Sequence, residues 1–197
     1  REFGNRQGEA ISLNNLGILA EERGHYPAAR ALYEESLSIH RELGMRASQA
    51  SNLCGLGNIA IKEGDPQLSY NLCLESLTIR RELGDRWGTP ISLLSLGVAA
   101  LELGDRPAAR SLLLESLTGH QQIENPLGIS AALGSLATYA GNTEQAARLW
   151  GATTAVRESI GTVPSPITLA DQEHKQASTR AALGEAAYTA AWNEGHA

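Results

Sequence analysis

SLNNLGILAEERGHYPAARALYEESLSIHRELG fills Ser12 to Gly44, and the chain rewrites it twice. SNLCGLGNIAIKEGDPQLSYNLCLESLTIRRELG runs from Ser51 to Gly84, and ISLLSLGVAALELGDRPAARSLLLESLT from Ile91 to Thr118. Leu16-Gly17, Leu56-Gly57 and Leu96-Gly97 stand 40 residues apart, and Leu136-Ala137 continues the series. Leu13, Leu53, Leu93 and Leu133 keep the same step, as do Ala20, Ala60, Ala100 and Ala140. So do the triplets Glu35-Ser36-Leu37, Glu75-Ser76-Leu77 and Glu115-Ser116-Leu117. Self-similarity at a fixed step of roughly 20–50 residues is the mark of a stacked repeat architecture.

Inside each unit the apolar residues recur at i, i+3 and i+4. Leu13, Leu16 and Ala20 do so in the first half, and Ala29, Leu32, Tyr33 and Leu37 in the second. That is the period of a helix and not the alternation of a strand, so each unit reads as two helices. Gly24, Gly64 and Gly104 suit a left-handed C-cap after the first helix, and Gly44 and Gly84 close the second. Asp65-Pro66 reads as an N-cap followed by proline at the first helical position, with Pro27 and Pro107 nearly in register. The spacing predicts helices over 9–22, 27–43, 47–62, 66–83, 89–102, 106–119, 127–140 and 143–159. Gly17, Gly57, Gly97 and Ala137 leave room for a partner helix while the neighbouring leucines supply burial. A lone helical pair cannot bury both faces, so each unit needs its neighbours.

The fourth unit is degenerate. Three residues are lost near Ala140-Gly141-Asn142, and Trp150 stands where a leucine is due. Gly161, Pro164 and Pro166 then break the helix. Beyond them, helical spacing puts Ala170, His174, Ala177 and Ala181 on one face, and Ala187, Tyr188, Ala191 and Trp192 on one face of a final helix. The expectation is a pair of helices capping the last repeat; a segment that docks on a partner is the alternative. The domain reading is 1–8 as the tail of a truncated repeat, 9–44, 45–84 and 85–124 as repeats, 125–161 as the degenerate fourth, and 162–197 as linker and cap. REFGNRQGEA (Arg1–Ala10) matches RELGDRWGTP (Arg81–Pro90), so further repeats are expected before Arg1.

Composition narrows the function. Aromatics make up 5% of the chain, with a single Phe, so Leu and Ala carry the packing. A net charge of −6 argues against direct nucleic-acid binding, which needs clustered Lys and Arg. No apolar run approaches the ~20 residues of a membrane helix, and the N-terminus lacks the apolar core of a signal peptide. Two cysteines make no disulfide framework, which fits a reduced cytoplasmic setting. The histidines are scattered, and His40 and His120, which share a repeat column, are expected to face solvent. No convergent His, Cys or carboxylate set and no nucleophile–base motif appears, so no catalytic, metal or cofactor-binding residue is assigned and no cofactor is expected. Cys73, in the Tyr33 column, reads as a buried packing residue, while Cys54 aligns with Asn14 and Leu94 on the inner face. Glu35, Glu75 and Glu115 are expected to pair with arginines between units, or else to form an acidic stripe for a basic partner.

The columns resemble the tetratricopeptide repeat (TPR), a helical hairpin with an L-G pair in its first helix and a small residue early in its second. Leu16-Gly17, Leu56-Gly57 and Leu96-Gly97 match the pair, Ala29 the small column and Tyr33 the aromatic one after it. Leucine replaces the usual Trp, and the unit is 40 long instead of 34. The resemblance covers about residues 9–160 and implies an all-α, right-handed α-α superhelix, a solenoid of hairpins closed by a C-terminal capping helix pair.

LNNLG, ARALYEESL and RRELGD, with the tail AARLWGATTAVRESIG (Ala146–Gly161) and AALGEAAYTAAWNEG (Ala181–Gly195), are similar to the long TPR arrays ending bacterial LuxR-type and related signal-transduction ATPase regulators. That likeness implies the regulatory region of a larger protein; no G-x-x-x-x-G-K-[ST] loop occurs in the 197 residues. It also implies a concave groove lined by first helices, at Ile11, Asn14, Ile18, Ser51, Cys54, Asn58, Ile91, Leu94, Val98 and Leu101. The groove lacks the basic residues that grip a terminal carboxylate, and its apolar surface with a few amides suits an amphipathic helix. The expected role is non-catalytic: protein or peptide binding, with a small-molecule inducer site in the groove as one alternative and an enzyme as the alternative from another class. Self-association through an exposed end of the stack is a third option.

Overall fold

A computed structural model describes residues 2–162 and 166–197; Arg1 and linker residues 163–165 of the expected break lie outside it. The described residues form helices α1 (Glu2–Glu22), α2 (Tyr26–Glu42), α3 (Arg46–Lys62), α4 (Pro66–Glu82), α5 (Thr89–Glu102), α6 (Arg106–Gln122), α7 (Pro126–Thr138), α8 (Thr143–Ser159), α9 (Pro166–Leu183) and α10 (Glu185–His196). Among them there is no strand, and the fold is an all-α stack of helical hairpins. The chain divides into two compact units, Arg1–Asp105 and Arg106–Ala197.

In the first unit, α1 pairs with α2 and α3 with α4, while α2 also packs on α3 and α4 on α5. Of the first helices, α1 touches α3 and α3 touches α5, forming one layer; α2 and α4 back it. The core joins consecutive repeats: Ala29, Tyr33 and Leu37 of α2 meet Ala50, Leu53, Leu56 and Ile59 of α3, with Ile79 of α4. One column therefore has two environments. Leu56 is 4% exposed beneath α2, whereas Leu16, its counterpart on α1, is 52% exposed because no earlier described helix covers it. Leu56→Ala is expected to lower the unfolding free energy by about 2–5 kcal/mol, the range for a buried leucine. Leu16→Ala should remain within about 1 kcal/mol. Urea titrations of the two variants check this, and equal losses would reject the register.

The caps follow the predicted positions. Gly24, Gly64 and Gly104 have φ of 75°, 82° and 84°, and the amide after each bonds back to the alanine column, as in His25 N–H to Ala20 O at 2.8 Å. Asp65 accepts from Leu68 N–H at 2.9 Å with Pro66 at the first helical position. Where Gly44 and Gly84 close the second helices, Glu124 holds the same left-handed turn at φ 52°. The repeat geometry imposes that conformation on a residue that resists it, at roughly 1–2 kcal/mol.

Three expectations need correcting. The first helix begins at Glu2 and not near residue 9, its ladder running unbroken through Gly4 and Gly8 where Arg81–Pro90 makes a turn. His40 and His120 are buried, at 2% and 1% exposure, not solvent-facing. They lie on the inner side of the last turn of α2 and α6, where small residues make room: a Cβ on Gly128 would strike the His120 ring. Burial holds the His120 pKa below its usual value. On α9 the predicted face Ala170, His174, Ala177 and Ala181 is exposed, and Gln172, Gln176, Thr179 and Leu183 turn inward.

In the second unit, α7 packs on α6 and α8, and α10 lies along α8. Asn125 and Asn142 cap α7 and α8, accepting from Gly128 N–H at 3.2 Å and Gln145 N–H at 3.0 Å. Trp150 is buried as a core residue of α8. Tyr188 and Ala191 of α10 bury against Ala147 of α8, with Leu183 and Trp192 at the edge. Of the final face read from the sequence, Tyr188 and Ala191 are buried and Trp192 half-buried, while Ala187 is exposed. α10 covers α8; α9 has no buried residue among those described.

Candidate functional site

The face presented by α1, α3 and α5 is built from local rules. Residues three and four apart share a helix face, so Ile11, Asn14 and Ile18 fall on one stripe of α1. Ser51, Cys54 and Asn58 do so on α3, and Ile91, Leu94, Val98 and Leu101 on α5. Their environments differ. Ile11, Ile18 and Ile91 are 42–44% exposed. Ser51 is also exposed, and Asn14, Asn58, Leu94 and Val98 are half-buried. Cys54 and Leu101 are buried and drop out of the surface strip. Cys54 leaves it because its thiol turns between helices, 3.3 Å from Ser95 Oγ of α5.

The amides are held in place. Asn14 Oδ1 accepts from Asn52 Nδ2 at 3.0 Å, which ties α1 to α3. The Glu21 carboxylate accepts from Tyr33 O–H at 2.8 Å. Burial raises the Glu21 pKa against the lowering effect of Tyr33 and Asn58. The Tyr33 pKa moves up as well, first through burial and then through the Glu21 charge. Surface amides that are already oriented by neighbours lose less freedom on binding a ligand than mobile ones would.

Sequence reasoning missed a buried polar layer beneath this face. Ser36 O–H donates to Ala10 O at 2.8 Å, and Ser76 O–H to Ala50 O at 2.7 Å, so the serine of the first two Glu-Ser-Leu triplets staples a second helix to the first helix of its own hairpin. His40 Nδ1 lies 2.7 Å from Asn52 Oδ1, while its Nε2 has no partner. The next residue in that column, Arg80, is also buried; it reaches Ser51 Oγ at 3.2 Å and Asp85 at 3.9 Å, with Nε unpartnered. The signal was present in the 40-residue step of Ser36, Ser76 and Ser116. Serine's usual surface preference hid it.

The glutamate ladder pairs in part as expected. Glu75 meets Arg41 of the preceding second helix at 3.5 Å, but both side chains are more than half exposed, so the pair contributes little. Among the described residues no cluster of His, Cys, Asp or Glu could hold a metal ion, and no helix is long and apolar enough to cross a membrane.

Residues 48–122 match a family model described as tetratricopeptide repeat, and residues 10–43 match a second model of the same description. No curated protein matches the chain. The matched spans coincide with α1–α6, the hairpins whose L-G pairs, small columns and glycine caps were laid out above, and through them the chain belongs to the tetratricopeptide repeat family.

Proposed function

We propose that this chain is a non-catalytic scaffold that holds a protein or peptide partner along the α1/α3/α5 face. The observation that carries this reading is the strip of exposed isoleucines, Ile11, Ile18 and Ile91, beside the half-buried Asn14, Asn58, Leu94 and Val98. Apolar ridges spaced by pre-oriented amides match an amphipathic helix, whose i, i+3, i+4 anchors bury on the ridges while its backbone ends and polar edge meet the amides. Tetratricopeptide repeats in general mediate protein–protein interaction, which agrees with this reading. Asn58→Arg combined with Leu94→Glu places two charges in the strip. Captured partners should fall at least about tenfold against the wild-type chain, a change of about 1.4 kcal/mol, with unchanged far-UV circular dichroism. Equal capture by a correctly folded double variant removes the proposal.

The finer reading is that the scaffold serves as the regulatory region of a larger bacterial regulator. Its support is the likeness of the LNNLG, ARALYEESL and RRELGD segments and the tail to arrays of that kind. Reading the gene upstream of the Arg1 codon tests it: an ATPase or DNA-binding segment is expected there. A second reading, self-association, is favoured by the apolar side of α1, where Leu16 and Leu19 are 52% and 47% exposed. Sedimentation at increasing concentration should then show a rising mass, and a constant monomer mass rejects it.

A further inference from the structure

The turn between α4 and α5, Asp85-Arg86-Trp87-Gly88, departs from the turn one repeat before it. There α3 starts at Arg46, directly after its cap Met45, and Ala47 stands where the later copy has Trp87. α5 starts only at Thr89, so Arg86 and Trp87 lie on a bend ahead of the helix. That bend is fixed from inside. Arg80, itself buried, fills the space beneath it, where a Cβ on Gly88 would strike its guanidinium. Asp85 Oδ1 accepts from Trp87 N–H at 3.1 Å and from Gly88 N–H at 2.8 Å, and Thr89 O–H donates to Asp85 O at 2.6 Å. The backbone is tied down while the Trp87 side chain is 67% exposed, more than any other large apolar side chain among the described residues.

A single exposed apolar side chain is ordinary; its neighbour sets this one apart. Arg6 pairs with Glu42 at 3.0 Å and Arg46 with Glu82 at 2.5 Å, the same pair one step of 40 residues apart. Arg86 is the third arginine of that column, but the residue 40 after Glu82 is Gln122. Arg86 is exposed and has no ion pair among the described residues. An uncompensated guanidinium thus stands next to an exposed indole on a fixed backbone. The preceding turn closes on alanine at Ala47, so the stack does not call for a ring at this position.

We propose that the α4–α5 turn docks an acidic peptide segment, in which an Asp or Glu carboxylate is set beside an aliphatic or aromatic side chain. The carboxylate takes the two-pronged geometry that the Arg86 guanidinium offers, and the apolar side chain covers the Trp87 ring. Trp and Arg are enriched among the residues that carry binding energy at interfaces, and a turn already ordered by Asp85 and Arg80 loses little freedom on binding. Charge selects the occupant. An unpaired cation in a chain of net charge −6 suits a short acidic segment and not a polyanion. The inference does not depend on what the α1/α3/α5 face binds.

The test is selection of peptides from a random phage-displayed library on the whole immobilised chain, followed by fluorescence polarisation of the recovered peptide. The expected consensus holds Asp or Glu next to a large apolar residue. Trp87→Ala should weaken that peptide at least about tenfold, and Arg86→Gln roughly threefold or more. A fresh selection on Arg86→Glu should exchange the acidic positions for Lys or Arg. The Asn58→Arg, Leu94→Glu double variant should keep the affinity, which separates this turn from the α1/α3/α5 face. A consensus without an acidic position, unchanged affinity after Trp87→Ala, or loss in the double variant overturns the proposal. Recovery of no peptide does so too; sedimentation of the chain with phosphatidylserine vesicles, lost in Trp87→Ala, would then make the turn a lipid contact instead. Arg86 and Trp87 are both exposed, so their variants should keep the wild-type far-UV circular dichroism.

Discussion

Gly151→Ala should unseat the last helix. A Cβ at Gly151 would be driven into the backbone carbonyl of Trp192 and would stand 2.9 Å from His196 N, and on the facing helix Gly195 sits equally tight on the Arg148 backbone. Each atom it meets is main chain, so no side chain can swing aside, and α10 as a whole has to retreat from α8. That retreat opens the seam where Tyr188 and Ala191 bury against Ala147, and it strains the Arg148–Glu194 bond of 2.7 Å. Overpacking of a tight core commonly costs about 1–3 kcal/mol, and the value here should reach or pass the upper end because the obstacle is backbone. Gly141→Ala is the control, since nothing lies within 4 Å of its Cβ position and its φ is not positive; it should be neutral or slightly stabilising. Urea unfolding, paired with limited proteolysis at Arg180, reads both. A Gly151→Ala chain within about 0.5 kcal/mol of wild type would show that α8 and α10 do not approach as described.

A loss of comparable size is expected for Tyr33→Ala. The ring is wedged between two glycines of different repeats: a Cβ on Gly17 would come within 2.8 Å of it, and one on Gly55 within 2.7 Å. Tyr33 thus locks α1 to α3 through α2, and neither glycine can fill the space its removal leaves. Truncation of a buried aromatic costs about 3–5 kcal/mol, and the Glu21 carboxylate loses its phenol donor as well. Tyr33→Phe separates the two effects. It keeps the packing and removes the hydrogen bond, a change of roughly 1 kcal/mol at neutral pH.

The pH dependence of that variant carries a sign. The folded-state pKa of Glu21 is raised, so its charged form is disfavoured in the fold; the stability linked to it is present below the ordinary carboxylate range and is lost as pH rises. Without the phenol to offset burial, Tyr33→Phe should be more destabilising at pH 7 than at pH 4. A difference of the opposite sign would mean that the Tyr33–Glu21 bond does not form.

Reading the chain without coordinates recovered the elements that depend on short stretches. Helix pairs, glycine C-caps and the Asp65-Pro66 start are set by neighbours a few residues away, and their bounds held to within a few positions except at α1. What failed is instructive. The surface preference of polar residues puts His40 and His120 outside, yet the helices packed against them bury both, as they bury Ser36 and Ser76. Cys54 was placed on the open face by its alignment with Asn14 and Leu94. Its sulfur instead turns to Ser95 Oγ of α5, and such a choice depends on another helix. On α9, spacing alone offered several apolar stripes, with alanines on more than one side, so periodicity could not say which side turned inward.

The 40-residue step by itself determined that this protein is built of stacked helical hairpins, because capping and helical period are local and the sequence repeats them. It also marked the small and leucine columns that make stacking feasible. Only tertiary structure decided what each copy of a column experiences. Leu16 and Leu56 sit in near-identical local sequence, yet one is exposed and the other buried, because burial is a property of what lies above a residue and not of the residue or its neighbours in the chain.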